Sequence, residues 1–163
     1  MTTMRLPIIA GGLLLLIGGV ASADPCQLSI ESNDRMQFTQ SQLTAAASCG
    51  EIAVTFTHSG KLPAKVMGHN WVLAKTSDVA AIANAGMSAG FAHGFQPVGD
   101  KRIIASSAVI GGGESTTVRF SASALRPGTD YTFFCSAPGH TSVMRGKFVL
   151  TDDTGSLAAN AGR

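Results

Sequence analysis

Ten residues, Cys135-Ser-Ala-Pro-Gly-His140-Thr-Ser-Val-Met144, constrain this chain more than any other stretch. They stand between two segments of β character, Asp130-Tyr-Thr-Phe-Phe-Cys135 before them and Arg145 to Leu150 after. The chain must therefore leave one strand, reverse at Pro138-Gly139 and enter the next, which brings a thiol, an imidazole and a thioether around one point. Soft sulfur together with imidazole selects copper, and a weak axial methionine marks an electron-transfer site. Such a site needs a second imidazole. His69, in Met67-Gly68-His69-Asn70-Trp71, is the candidate, 66 positions earlier and on or just after a different strand. A site shared between two parts of the fold is held by the scaffold rather than by the metal.

Each ligand alone is weak evidence. A single methionine is more often a gap-filling core residue, and a histidine beside a tryptophan more often a structural one. The combination Cys-x4-His-x3-Met between strands, with a spare histidine elsewhere, carries the assignment. Zinc is the rival metal, but structural zinc takes four strong N, S or O ligands and a thioether is a poor fourth. His58 and His93 are read as non-ligands, His58 as a partly buried titrating group at a strand end.

The rest of the chain fits an all-β domain. Cys26–Ile30, Met36–Phe38, Glu51–Thr57, Val66–Leu73, Arg102–Ala105 and Ser115–Ser121 are further strand candidates. Ser59-Gly60, Gly111-Gly112-Gly113 and Pro127-Gly128 supply turns, and this spacing argues a sandwich or barrel. Thr76-Ser77-Asp78 offers a cap for one helix from Val79 to about Met87, and Ala89 to Asp100 reads as loop.

The ends bound the compartment. Arg5, the apolar run Leu6 to Val20 and Ala21-Ser22-Ala23 read as a cleaved secretory signal peptide over 1–23, with the domain over 24–150 and a flexible tail over 151–163. The run is short for a membrane anchor. Removing it takes Arg5 and no acid, so 12 basic residues become 11 against 10 acidic ones. A net charge of +1 gives no basic face for nucleic acid and predicts partner contacts not dominated by charge. Three cysteines in an oxidising compartment are an odd number. Cys26 and Cys49 are a candidate disulfide, leaving Cys135 either an inert buried thiol or a metal ligand.

From about Cys26 to Leu150 the chain resembles the azurins, periplasmic blue copper proteins of the cupredoxin fold family. The matching stretches are Asn33-Asp34-Arg35-Met36-Gln37-Phe38, Leu62-Pro63-Ala64-Lys65-Val66 through His69 to Leu73, Leu125 to Tyr131 more loosely, and Phe133-Phe134-Cys135 through His140 to Met144. Plastocyanins and pseudoazurins space Cys, His and Met differently. The resemblance implies an eight-stranded Greek-key sandwich with one external helix and a Cys26–Cys49 disulfide. It implies His69, Cys135 and His140 as equatorial ligands of a single type 1 copper, Met144 as the axial thioether and the Gly68 carbonyl as a weak axial contact. Asn70 would tie the two ligand-bearing loops together, backbone N–H groups would donate to the Cys135 sulfur, and Trp71 would be the core tryptophan. His58 matches a histidine that titrates near the site. Met36, Leu62, Met67, Ala137, Pro138, Gly139 and Val143 match an apolar docking patch over the loop histidine; Val66 also falls there but reads as core.

Two residues depart from the azurin pattern. Ala137 stands where azurins typically carry a bulky phenylalanine, and Ser106 where they carry a surface histidine. The implied function is a monomeric periplasmic carrier, not an enzyme, cycling Cu(I) and Cu(II) between redox proteins such as c-type cytochromes, nitrite reductase or amine dehydrogenase. The alternative is a periplasmic copper buffer or chaperone, although the chain has no Cys-x-x-Cys.

Overall fold

A computed structural model describes residues 24 and 26–152; the expected signal peptide and the chain from 153 onward lie outside the described residues. Among the described residues nine strands form two sheets. β1 (Gln27–Asn33), β2 (Gln37–Phe38), β4 (Glu51–His58) and β7 (Ser115–Ser121) make one, in the order β2-β1-β4-β7. β3 (Gln42–Ala46), β5 (Val72–Lys75), β6 (Ile103–Ser106), β8 (Tyr131–Phe134) and β9 (Arg145–Thr151) make the other, in the order β3-β9-β8-β5-β6. β1 runs parallel to β4 and β3 parallel to β9, and the remaining pairs are antiparallel.

Alternation drives the sheets together. In β7 the inward Val118 and Phe120 are buried between exposed Thr117, Arg119 and Ser121. The inner faces enclose Trp71, fully buried, with ring centroids of Phe120 and Phe133 at 6.2 Å and Phe148 at 6.3 Å. Among the described residues the buried Trp71 indole Nε1 has no hydrogen-bond partner. Cys26 and Cys49 are joined as a disulfide, with Cα atoms 5.6 Å apart, which ties the start of β1 to the turn before β4. Cys135 is the free, buried thiol.

The structure differs from the expected elements in four places. Eight strands were expected, and β3 is the one with no strand candidate: Gln-Leu-Thr-Ala-Ala alternates, but only Leu43 and Ala45 turn inward. The expected strand Val66–Leu73 is split. Pro63 opens a short helix, α1 (Ala64–Met67), closed by Val66 N–H and Met67 N–H donating to Pro63 O at 2.8 and 3.1 Å, and β5 begins only at Val72. The expected helix exists as α2 (Val79–Ala89), but Thr76–Asp78 forms a 3₁₀ turn ahead of it, and the Asp78 side chain makes no capping hydrogen bond. Val79 and Ile82 of α2 pack on Val72 and Phe134, which fastens the helix outside the second sheet. Strand β9 continues through buried Thr151, one residue past the expected domain end.

Candidate metal centre

The site is assembled from backbone geometry before any side chain enters. β8 delivers Cys135, β9 departs from Met144, and the Cys135 N–H donates to Met144 O at 3.0 Å to close the loop. Inside it the His140 N–H donates to Ala137 O at 3.0 Å and the Met144 N–H to His140 O at 2.8 Å. Thr141 Oγ1 donates to Cys135 O at 2.9 Å. Gly139 takes the left-handed turn at φ 80° that a side chain would resist. The loop is thereby held by its own hydrogen bonds.

His69 arrives from the other side. It exchanges backbone hydrogen bonds with Ile110, at 3.0 and 2.8 Å, as an isolated bridge between the two parts of the fold. Its Nε2–H donates to Asn33 O at 2.9 Å, which leaves Nδ1 unprotonated and aimed at the loop. Gly68 has to be glycine: an added Cβ would lie 2.5 Å from Val109 Cγ1 and closer still to the Ala64 carbonyl oxygen.

The donor atoms converge. His69 Nδ1 and His140 Nδ1 are 3.1 Å apart, and the Cys135 Sγ is 3.9 Å from the first and 3.5 Å from the second. These are the three donors of the metal-ligating cluster found among the described residues. The circumradius of that triangle, the product of its sides over four times its area, is about 2.0 Å, the length of a bond from imidazole to a divalent ion such as zinc. A point near its centre is thus within bonding reach of two imidazole nitrogens and close to that of a sulfur. The residues fit one copper ion with two histidines and one cysteine.

Protonation favours the same outcome in part. Burial pulls His69 down to about 4, and the neighbouring His140 and His58 add to that against the pull of the Asn33 carbonyl, so its ring is neutral. Burial lowers His140 as well. Burial pushes the Cys135 thiol up to about 11, opposed by backbone N–H groups of Asn70 and Ala137 that donate to the sulfur. The thiolate needs a cation to exist here.

Asn70, next to His69 in the chain, is hydrogen-bonded to the residue that follows Cys135. Its Oδ1 accepts the Ser136 N–H at 2.8 Å, and its Nδ2 donates to Ser136 Oγ and to Gly94 O, each at 2.8 Å. Met144 is fully buried beside Cys135 and Ala137, with Phe38 and Phe95 against them. His58 is also fully buried, stacked on His69 with centroids 4.7 Å apart, its Nε2–H donated to Met67 O at 2.9 Å. His93 is exposed on a 3₁₀ turn between α2 and β6.

Of the expected docking residues, Leu62, Pro138, Gly139 and Val143 are exposed and Met36 and Met67 half-buried. Ala137 lies beneath the surface at 5% exposure, so its methyl is part of the loop's floor. Val66, expected in the core, is instead 65% exposed, because α1 turns it outward. Two supporting features gave no signal as site residues. Asn33 orients His69 through its carbonyl, and any residue type can do that. The Asp34 carboxylate accepts the N–H groups of Lys61 and Leu62, at 2.8 and 3.2 Å, and pins the segment leading to α1.

Two stacked sheets with a His-Cys-His donor set on the loops at one end define a cupredoxin. The chain belongs to the family of copper binding proteins described as plastocyanin/azurin, whose model matches residues 24–151. It is similar to the azurin of Bordetella pertussis, 42% identical over 146 residues that cover 88% of this chain and 97% of the relative. It is also similar to the azurin of Pseudomonas chlororaphis, 47% identical with 77% and 98% covered. A solved structure of the azurin Az-iso2 from Methylomonas sp. strain J superposes with a TM-score of 0.75, at 47% identity, over 77% of this chain and 98% of that one.

Proposed function

We propose that the protein is a periplasmic electron carrier holding a single type 1 copper, with His69, Cys135 and His140 as strong ligands. Met144, buried beside Cys135, and the Gly68 carbonyl would be the weaker ligands of that copper. The observation that carries the proposal is the convergence of three donors, fixed by hydrogen bonds to Asn33 O, to the loop backbone and across Asn70. Bound copper supplies a one-electron couple between Cu(I) and Cu(II). The chain's contribution is to hold its donors still, since ligand movement between oxidation states raises the barrier to electron transfer. The N–H groups of Asn70 and Ala137 draw charge from the Cys135 sulfur and so bias the couple.

His140 is the only one of the three donors that reaches solvent, being half-buried and directly preceded in the loop by exposed Pro138 and Gly139. Electrons leave and enter at that edge, and Leu62, Met67 and Val143 give partners an apolar surface to meet. Those partners are redox proteins: c-type cytochromes, a nitrite reductase or an amine dehydrogenase. The protein is a carrier and not an enzyme. Residues 1–23 direct secretion and are removed; among the described residues no helix is long and apolar enough to cross a membrane.

The test is an absorption and electron paramagnetic resonance spectrum after one equivalent of Cu(II). An intense blue thiolate-to-copper band with narrow copper hyperfine splitting is the expected result. A pale, ordinary cupric spectrum from folded protein overturns the assignment and leaves a copper buffer.

A further inference from the structure

Between α2 and β6, residues 90–96 form a strap laid against the metal centre. Within it Phe95 takes the left-handed region, at φ 54°, where a bulky side chain is strained. Such a conformation persists only when its surroundings over-determine it, and here they do. The Phe95 N–H donates to Gly90 O at 2.9 Å and the Gln96 N–H to His93 O at 3.1 Å. Gln96 Nε2 donates to Ser107 O at 2.9 Å. One residue before Phe95, the Gly94 carbonyl accepts from Asn70 Nδ2 at 2.8 Å and from Ser136 Oγ at 3.2 Å. Gly86 of α2 lies so close to the Phe95 carbonyl that any Cβ there would collide with it.

What the strained backbone fixes is the place of one ring. Phe95 packs on the buried cluster of Cys135, Ala137 and Met144, and Phe38 is the other ring against that cluster. The two rings are held differently. Phe38 is anchored in the core by edge contacts with Phe56 and Phe133, their centroids 5.9 and 5.3 Å away. Among the described residues the one aromatic neighbour of Phe95 is Phe91, at 6.0 Å, and Phe91 is itself 40% exposed. The position of the Phe95 ring therefore depends on the strap. The strap in turn is bonded to Asn70 and Ser136, the residues that follow His69 and Cys135 in the chain.

We infer that Phe95 is a positioning residue of the metal centre, holding Met144 and Cys135 in place from the side of the strap and keeping water from their sulfur atoms. The consequence for the couple is electrostatic. Cu(II) with one thiolate carries a positive charge that Cu(I) with the same thiolate lacks. An apolar, water-free shell therefore favours the reduced form, and water admitted beside the sulfur favours the oxidised one. For its effect on the couple the inference rests on the electron-carrier reading; for the shielding of the thiol it stands without it.

Two readouts on the full chain test it, one with copper and one without. At the potential that leaves the parent half reduced, copper-loaded Phe95→Ala is expected to be at least about threefold more oxidised than reduced, read from its blue band. In the metal-free protein iodoacetamide is expected to modify Cys135, the one free thiol, roughly tenfold faster in Phe95→Ala than in the parent. Phe95→Leu, which refills most of the volume, is expected to stay close to the parent in both. Val118→Ala, a truncation in the main core and outside the Cys135 cluster, supplies the comparison: it should lower the melting temperature with neither effect. If Phe95→Ala does not fold, Phe95→Gly removes the ring and relieves the left-handed strain together. An unchanged midpoint in blue, folded Phe95→Ala, or a thiol modified no faster than in Val118→Ala, overturns the positioning role. A folded parent that binds copper without a blue band overturns the carrier reading, and the modification rate of the metal-free protein still decides whether Phe95 shields Cys135.

Discussion

At the scale of single residues the centre is defined by proton positions as much as by distances. With Cys135 pushed up to about 11 and His69 pulled down to about 4, the metal-free site at pH 7 holds one removable proton, on the thiol. Cu(II) binding is therefore expected to release close to one proton per ion at that pH. Calorimetry in buffers of different ionisation enthalpy measures the number, and a value near zero would mean that the sulfur is not a ligand. Asp34 is a second residue whose effect exceeds its exposure. Asp34→Ala leaves the N–H groups of Lys61 and Leu62 without their acceptor and loosens the segment that carries Gly68 and His69. The melting temperature should fall by a few degrees, and the hyperfine pattern of the copper-loaded variant should broaden. Asp34→Asn, which keeps one acceptor oxygen, should do less. Cys135 and His140 were legible because a thiol and an imidazole at this spacing from a thioether have few other uses, and His69 because such a pair needs a second imidazole. Asn33 and Asp34 acquire a role only when the fold sets the β1–β2 turn against residues 60–69, and nothing local in the sequence announces that contact.

At the scale of elements the pattern of success follows from how strands are buried. β4 and β7 alternate and were readable; β3 has only two inward side chains, so its pairing with β9 and not its own residues makes it a strand. The segment 62–69 misleads for the opposite reason. Val66 and Met67 have strand-forming character, yet Pro63 starts a helical turn, and that turn is what brings the backbone of Gly68 against Ala64 and Val109. The tight packing there is a prediction as well as an explanation. Gly68→Ala has no room for its methyl and should destabilise the protein by about 1–3 kcal/mol. It should also displace His69, giving a weakened or shifted blue band at saturating copper. Denaturant unfolding and the absorption spectrum, taken together, separate this from a change elsewhere, because a substitution at an exposed turn glycine such as Gly113 would leave the band intact.

For the whole molecule the question is how a two-sheet sandwich keeps a metal site rigid when the metal is absent. The core around Trp71 and the Cys26–Cys49 disulfide stabilise the scaffold independently of the site; closing that loop contributes about 3 kcal/mol in the chain-entropy picture. The site itself opposes folding in acid. His69 has a folded-state value near 4 against 6.5 when unfolded, so between those values the unfolded chain binds more protons than the native one. Stability of the metal-free protein is therefore complete above about pH 6.5 and is lost as the pH falls toward 4, by at most about 3 kcal/mol, one pKa unit being worth 1.36 kcal/mol. Below pH 4 this residue contributes no further loss. His140, also lowered by burial, adds to the loss in the same direction. Bound metal reverses the situation, because an imidazole engaged at Nδ1 cannot take up a proton there, and unfolding must then release the ion as well. Urea denaturation at pH 7.5 and pH 4.5, with and without copper, measures the difference. The metal-free midpoint is expected to drop between the two pH values by clearly more than in His69→Gln, which has no imidazole to protonate, and copper should raise the midpoint at both. A metal-free midpoint indifferent to pH, or a drop undiminished in His69→Gln, would show that the acid sensitivity lies outside the site.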